Sequence, residues 1–162
     1  VTLVDTGKKT MTGGRLKKIS KYLDSKETFM FTYGDGVANI NIQKLVNFHI
    51  ASKSIITVTA VRPPARFGEI LIKNNRVNSF KEKPQVREGW INGGFFVANK
   101  SFLKLIEGSK SILEKNPLER AAKLKKFTAF KHHNFWKCMD TKRDKDELEK
   151  LSRLKSVPWM KF

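Results

Sequence analysis

Apolar and polar positions along this chain follow two periods that take turns. Residues 1–5, Val-Thr-Leu-Val-Asp, read as a short strand. Leu16, Ile19, Tyr22 and Leu23 then fall on one face of a helix, with Thr12 placed to cap it. Residues 28–33 read as a buried strand that stops abruptly at Gly34-Asp35-Gly36. Ile42, Leu45, Val46 and His49 recur at helical spacing within 41–52, and β-branched residues crowd 55–61 into a strong strand. The first half therefore predicts β-α-β-α-β, the order of a parallel sheet covered by helices.

From Pro63 the pattern changes. Residues 67–73 and 76–81 alternate like strands, and Asn74-Asn75 between them is a good two-residue hairpin turn. Residues 90–98 predict another strand, with glycines inside it. Helices are expected over 101–107 and 117–126, the second opening on Pro117, and 127–130 suits an edge strand. Thr141 and Asp144 have capping-box spacing before a last helix that runs to about residue 154. With no repeat and no linker-like stretch, 1–162 reads as a single α/β domain with a mixed sheet.

Composition narrows the class. Of 162 residues 40% are hydrophobic and 30% charged, and twelve Phe and three Trp supply large core side chains, which fits a folded chain rather than a disordered one. No apolar run reaches the roughly 20 residues of a membrane span. Residues 1–5 lack the basic and apolar regions of a signal peptide. The single cysteine, Cys138, allows neither an intrachain disulfide nor a cysteine-built zinc site, which suits a cytoplasmic setting. The formal net charge of +18 favours polyanions, but the lysines are spread along the chain, as on an ordinary solvated surface. Nucleic acid is not an expected partner, since no recognition helix, zinc finger or RNA-binding signature is present.

Five segments can carry chemistry. Tyr33-Gly34-Asp35-Gly36 follows a strand, where open α/β sheets bind ligands; Asp35 is either a metal or sugar ligand or part of an ordinary turn. Met139-Asp140-Thr141 leads into a helix, so Asp140 is either a second hard oxygen ligand or a cap. Thr12-Gly13-Gly14-Arg15 opens a helix with bare backbone and a guanidinium suited to phosphate, or is a glycine-rich turn with a surface arginine. Glu82-Lys83-Pro84 offers a point charge to phosphate and a hydroxyl acceptor, or is an exposed strand end. In Ile91-Asn92-Gly93-Gly94, glycines within a strand suggest close approach of a ligand, and the Asn92 amide can hold hydroxyls from both ends. His132-His133 lacks metal-ligand spacing, Cys138 has no catalytic partner signature, and His49 reads as structural.

Together these runs resemble the sugar-1-phosphate nucleotidyltransferases, in particular the branch that joins CTP and glucose 1-phosphate. The similarity is carried by Met11-Thr12-Gly13-Gly14-Arg15, Tyr33-Gly34-Asp35-Gly36-Val37, Pro63-Pro64 with Arg66-Phe67-Gly68, Glu82-Lys83-Pro84, Ile91-Asn92-Gly93-Gly94 and Phe135-Trp136 with Met139-Asp140-Thr141. It implies a Rossmann-like, GT-A-like α/β fold and transfer of a cytidylyl group to glucose 1-phosphate, giving CDP-glucose and pyrophosphate. That chemistry belongs to nucleotide-sugar supply for surface polysaccharide such as O-antigen. The resemblance implies that Asp35 and Asp140 hold Mg²⁺ and act with Arg15 as catalytic groups. It places Thr10, Gly14, Arg15 and Gly34 against the nucleotide, and Gly68, Glu82, Lys83 and Asn92 against the sugar phosphate. It also implies a homo-oligomer in the complete enzyme.

The family opens on a strand and a Gly-Gly-x-Gly-Thr-Arg-Leu loop that grips the triphosphate, and neither occurs in these 162 residues. The expectation is a partial domain, lacking the N-terminal βαβ region, with an open sheet edge and little activity of its own. Two other readings stay open: a nucleotidyltransferase using a different NTP, and a non-catalytic binding or assembly fragment.

Overall fold

The computed structural model describes residues 1–23, 28–63, 69–81 and 89–160. Its helices are α1 (Thr12–Ile19), α2 (Ile42–Ser52), α3 (Asn116–Lys123) and α4 (Lys142–Ser152). Its strands are β1 (Thr28–Thr32), β2 (Gly36–Ala38), β3 (Ile56–Val61), β4 (Glu69–Lys73), β5 (Arg76–Lys81), β6 (Ile91–Asn99), β7 (Phe127–Lys131) and β8 (Trp136–Cys138).

Among the described residues the main sheet has the order β1-β6-β3-β7. β1 and β6 are antiparallel, with Thr28 opposite Asn99 and Thr32 opposite Phe95. Along β3 and β7 the partners rise together, from Ile55 and Ile56 N–H on the Lys126 carbonyl to His132 N–H on that of Ala60, so this pair is parallel. The sheet is mixed, as expected. β1 and β3, expected to be joined across α2, are not neighbours, however, because β6 lies between them. β3 is buried along its whole length, which explains its nearly continuous run of β-branched residues.

The chain divides into two compact units: Val1–Thr32, Ile42–Val58 and Phe95–Phe130 form the first, and Tyr33–Asn41, Thr59–Gly94 and Lys131–Phe162 the second. The first unit packs Leu16, Leu45, Ile56, Phe96, Phe102, Ile106, Leu113, Leu118 and Ala121 into its core. Full burial of one of the larger of these side chains contributes about 1.5–3 kcal/mol. His49 is structural, as its helical position suggested: its two ring nitrogens meet the Thr57 hydroxyl at 2.8 Å and the Asn99 amide oxygen at 3.0 Å. The second unit holds the two-stranded β2–β8 ribbon, the β4–β5 hairpin and α4. Asn74 and Asn75 both take positive φ, 49° and 60°, between Lys73 and Arg76, the backbone of a type I′ turn.

Several expectations are corrected. Residues 1–5 form no strand; the Asp5 carboxylate instead accepts from the Gly7 N–H, starting a turn. Thr12 does not cap α1, whose N-cap is Met11. The Thr12 hydroxyl accepts from the Leu113 N–H and donates to the Glu114 carboxylate, so it joins α1 to a distant loop. α1 ends at Ile19 and tightens into a 3-10 turn over Ser20–Tyr22, which leaves Tyr22 exposed. Among the described residues β1 is an edge strand, with Met30 exposed, rather than a buried strand. On α2, Leu45 and His49 face inward but Ile42 does not. Residues 100–105 form a 3-10 helix where a helix over 101–107 was expected.

Candidate functional site

The second unit places the two candidate metal aspartates at one end of a two-stranded ribbon. β2 and β8 are three residues each, with Gly36 opposite Cys138 and Ala38 opposite Trp136. The ladder continues on both sides: the Asn39 N–H donates to the Phe135 carbonyl at 3.2 Å, and the Met139 N–H donates to the Asp35 carbonyl at 2.8 Å. Asp35 therefore lies opposite Met139, one residue from Asp140. Both aspartates are exposed at the same end of the ribbon.

Asp140 is the middle of three residues between β8 and α4, and both sides of that junction are tied. Thr141 closes a complete capping box with Asp144, as its spacing predicted: its hydroxyl accepts from the Asp144 N–H, and the Asp144 carboxylate accepts from the Thr141 N–H at 3.1 Å and from its hydroxyl at 2.8 Å. Lys137 on β8 reaches Glu147 at 2.8 Å and Asp144 at 3.5 Å on α4. Burial works against the Lys137 charge, but hydrogen bonding and attraction from Glu147 and Asp144 outweigh it and raise its pKa. The Thr141 hydrogen bond, ahead of its backbone N–H and Lys137, holds the Asp144 carboxyl below the usual carboxylate range. The Cys138 thiol donates to the Asp140 carboxylate at 3.3 Å, and burial together with this bond pushes its pKa up. A thiol so held is a poor nucleophile.

The residue types fit a hard divalent cation. Among the described residues no group of three or more His, Cys, Asp or Glu side chains is assembled to hold a metal. Two exposed carboxylates at one ribbon end instead suit an ion whose other positions go to water and phosphate oxygens, the usual manner of Mg²⁺.

Asn92, also in this unit, is oriented by its own surroundings. Its amide oxygen accepts from the Gly94 N–H at 2.8 Å, and its amide nitrogen donates to the Tyr33 hydroxyl at 3.0 Å. One N–H and one lone pair are left for a ligand. The strand glycines serve the chain's own packing. A β-carbon at Gly93 would lie 2.9 Å from both the Thr59 carbonyl oxygen and a Val61 methyl. Gly94 has φ +81°, and a β-carbon there would lie 2.9 Å from the Tyr33 ring. At Gly34, in contrast, a β-carbon meets nothing within 4 Å, so the backbone beside Asp35 is open to approach. The Trp136 indole N–H donates to the Gly93 carbonyl at 2.8 Å, a tie that no sequence spacing announced.

Thr10, Gly14 and Arg15 belong to the first unit. The Arg15 guanidinium donates to the Thr6 hydroxyl, while the Thr10 hydroxyl and the Lys18 ammonium both donate to the Thr6 carbonyl. Gly14 is not bared, as the sequence had suggested. Its N–H donates to the Ser111 carbonyl at 3.1 Å and its α-carbon lies against Ser109. Arg15 itself remains exposed. Gly68, Glu82 and Lys83 lie outside the described residues.

Comparison with known proteins matches residues 6–142 to the family model described as nucleotidyl transferase. The glucose-1-phosphate cytidylyltransferases of Salmonella typhimurium and Salmonella typhi are each 47% identical over 159 residues, 98% of this chain and 62% of theirs. The chain thus spans less than two thirds of the length of these relatives. Among solved structures, HddC from Yersinia pseudotuberculosis aligns over 85% of this chain and 60% of its own, with a TM-score of 0.62 at 23% identity, a likeness of fold.

Proposed function

This chain belongs to the nucleotidyl transferase family, and from that premise we propose that it supplies the metal and sugar-phosphate side of a cytidylyl transfer from CTP to glucose 1-phosphate. The products are CDP-glucose and pyrophosphate. The observation that carries the reading is the β2–β8 register, which sets Asp35 opposite Met139, one residue from Asp140. The 47% identity to proteins named for this reaction supports the choice of CTP and glucose over other pairs.

The attacking phosphate oxygen of glucose 1-phosphate is already anionic, so the transfer needs no strong base. It needs alignment and neutralisation of crowded negative charge. A Mg²⁺ ion held by Asp35 and Asp140 supplies that neutralisation when bound. Gly34 leaves the adjoining backbone open, and it is assigned with Thr10, Gly14 and Arg15 to the nucleotide. Asn92, with Gly68, Glu82 and Lys83, is assigned to the sugar phosphate. The net charge of +18 raises the local concentration of such anionic substrates at low salt. In the cell this reading belongs to cytoplasmic nucleotide-sugar supply for surface polysaccharide, with the complete enzyme a homo-oligomer.

No Gly-Gly-x-Gly-Thr-Arg-Leu run occurs in the 162 residues. The polypeptide is therefore expected to bind glucose 1-phosphate with Mg²⁺, seen as a shift of the phosphorus resonance, while releasing only traces of pyrophosphate from CTP. Absence of glucose 1-phosphate binding would contradict the assignment. Robust pyrophosphate release would show that the triphosphate grip lies within these residues after all. A parallel panel of UTP, TTP and GTP separates the cytidylyl reading from its neighbours.

A further inference from the structure

Within the second unit two side chains, Tyr33 and Trp136, tie the segments around the carboxylates to the strand that carries Asn92. On one side, Tyr33 stands two residues before Asp35. Its N–H donates to the Gly94 carbonyl at 3.0 Å, its hydroxyl accepts from the Asn92 amide at 3.0 Å, and its ring covers Gly94. On the other side, Trp136 stands on β8, four residues before Asp140, and its indole N–H donates to the Gly93 carbonyl at 2.8 Å. The two ties meet the same three residues, 92–94, from the two segments whose ends carry the carboxylates. Gly36 lies between them: a β-carbon there would be 4.0 Å from both the Gly93 oxygen and the Trp136 nitrogen.

The chemistry of the ties suits a ruler rather than a filler. An indole N–H has one donor and no acceptor, so it fixes one direction toward one carbonyl. Trp136 is half-buried, and a half-buried N–H that lost this carbonyl would have to find water. The Gly94 backbone, at φ +81°, is held under the Tyr33 ring in a conformation that other residues rarely adopt. The peptide of residue 93 is thereby clamped from both sides.

We propose that Trp136 and Tyr33 are positioning residues that fix the span between the Asp35–Asp140 carboxylates and Asn92, and so couple cation binding to sugar-phosphate binding. The inference rests on the site reading above. A sugar phosphate whose hexose lies at Asn92 reaches a cation at the carboxylates with its phosphate only if that span is held. A fixed span makes each ligand tighten the other, and by linkage the tightening is equal in both directions.

The test uses the 162-residue chain with Mn²⁺, titrated by electron paramagnetic resonance, and glucose 1-phosphate, titrated by calorimetry with and without Mn²⁺. In the unaltered chain Mn²⁺ is expected to tighten glucose 1-phosphate about tenfold. Trp136→Phe keeps a ring and removes the N–H. It is expected to leave Mn²⁺ affinity alone within about twofold while reducing the mutual tightening to about twofold or less. Tyr33→Phe removes only a hydroxyl, and it is expected to weaken glucose 1-phosphate about threefold or more with Mn²⁺ affinity unchanged. Should Trp136→Phe not fold, the Tyr33→Phe result decides alone. Undiminished coupling in the variants, even with a lowered melting temperature, overturns the inference and leaves the site reading standing. An unaltered chain that binds neither Mn²⁺ nor glucose 1-phosphate overturns the site reading, and the inference with it.

Discussion

A β-carbon added at Gly14 would lie 2.6 Å from the Ser109 carbonyl oxygen and 2.7 Å from its α-carbon, whereas one added at Gly34 meets no atom within 4 Å. The obstacle at Gly14 is backbone, which cannot swing aside, so Gly14→Ala forces α1 off the loop beneath it. It is expected to cost roughly 1–3 kcal/mol in urea unfolding, in the range of overpacked cores. Gly34→Ala is expected to stay within about 0.5 kcal/mol of the parent. If it nevertheless weakens substrate binding, the loss reports a ligand at that backbone rather than a damaged fold. The sequence showed both glycines as candidates for ligand approach, because a glycine's freedom looks the same whether a ligand or the protein's own chain fills the space beside it. Asp35 and Asp140 stood out as candidate hard ligands from residue type and context, but the register that puts them at one ribbon end did not show in the sequence. Nor was the role of Trp136, since its partner is a backbone carbonyl 43 residues away.

Among the elements, α4 shows how a short signal can be complete. Thr141 and Asp144 predicted a capping box, and the box is present with both reciprocal bonds. Thr141→Ala is expected to lower stability by about 1 kcal/mol, measured by thermal unfolding. The same substitution removes the largest cause of the lowered Asp144 pKa. A carboxyl held below its ordinary value of 3.8 in the fold contributes stability above that value and loses it as pH falls through the lowered one. Acid unfolding of the parent should therefore steepen below about pH 4, and Asp144→Asn should flatten that part of the curve. The hairpin turn at Asn74-Asn75 was equally readable, because positive φ at both positions favours few residues. β2 and β8 were not readable. Three residues are too few for a period to show, and each becomes a strand only by pairing with the other about a hundred positions away. The run at residues 1–5 erred in the opposite sense: its pattern suits a strand, but among the described residues no neighbour takes up its hydrogen bonds.

At the scale of the whole molecule, periodicity gave the alternation of strands and helices and the mixed sheet, while the order β1-β6-β3-β7 came only with the structure. Local pattern cannot tell which strand slips between two others, because that is decided by long-range pairing. The site has the same character. Its candidate residues lie in segments far apart in sequence, and β2–β8 pairing brings two of them to one end of a ribbon. That pairing is the central claim, and Mn²⁺ binding to the 162-residue chain tests it most directly. The account predicts one bound ion per chain, with affinity lowered at least about tenfold by Asp35→Asn and equally by Asp140→Asn. Binding indifferent to both substitutions, or two separate ions each lost with only one of them, would contradict it.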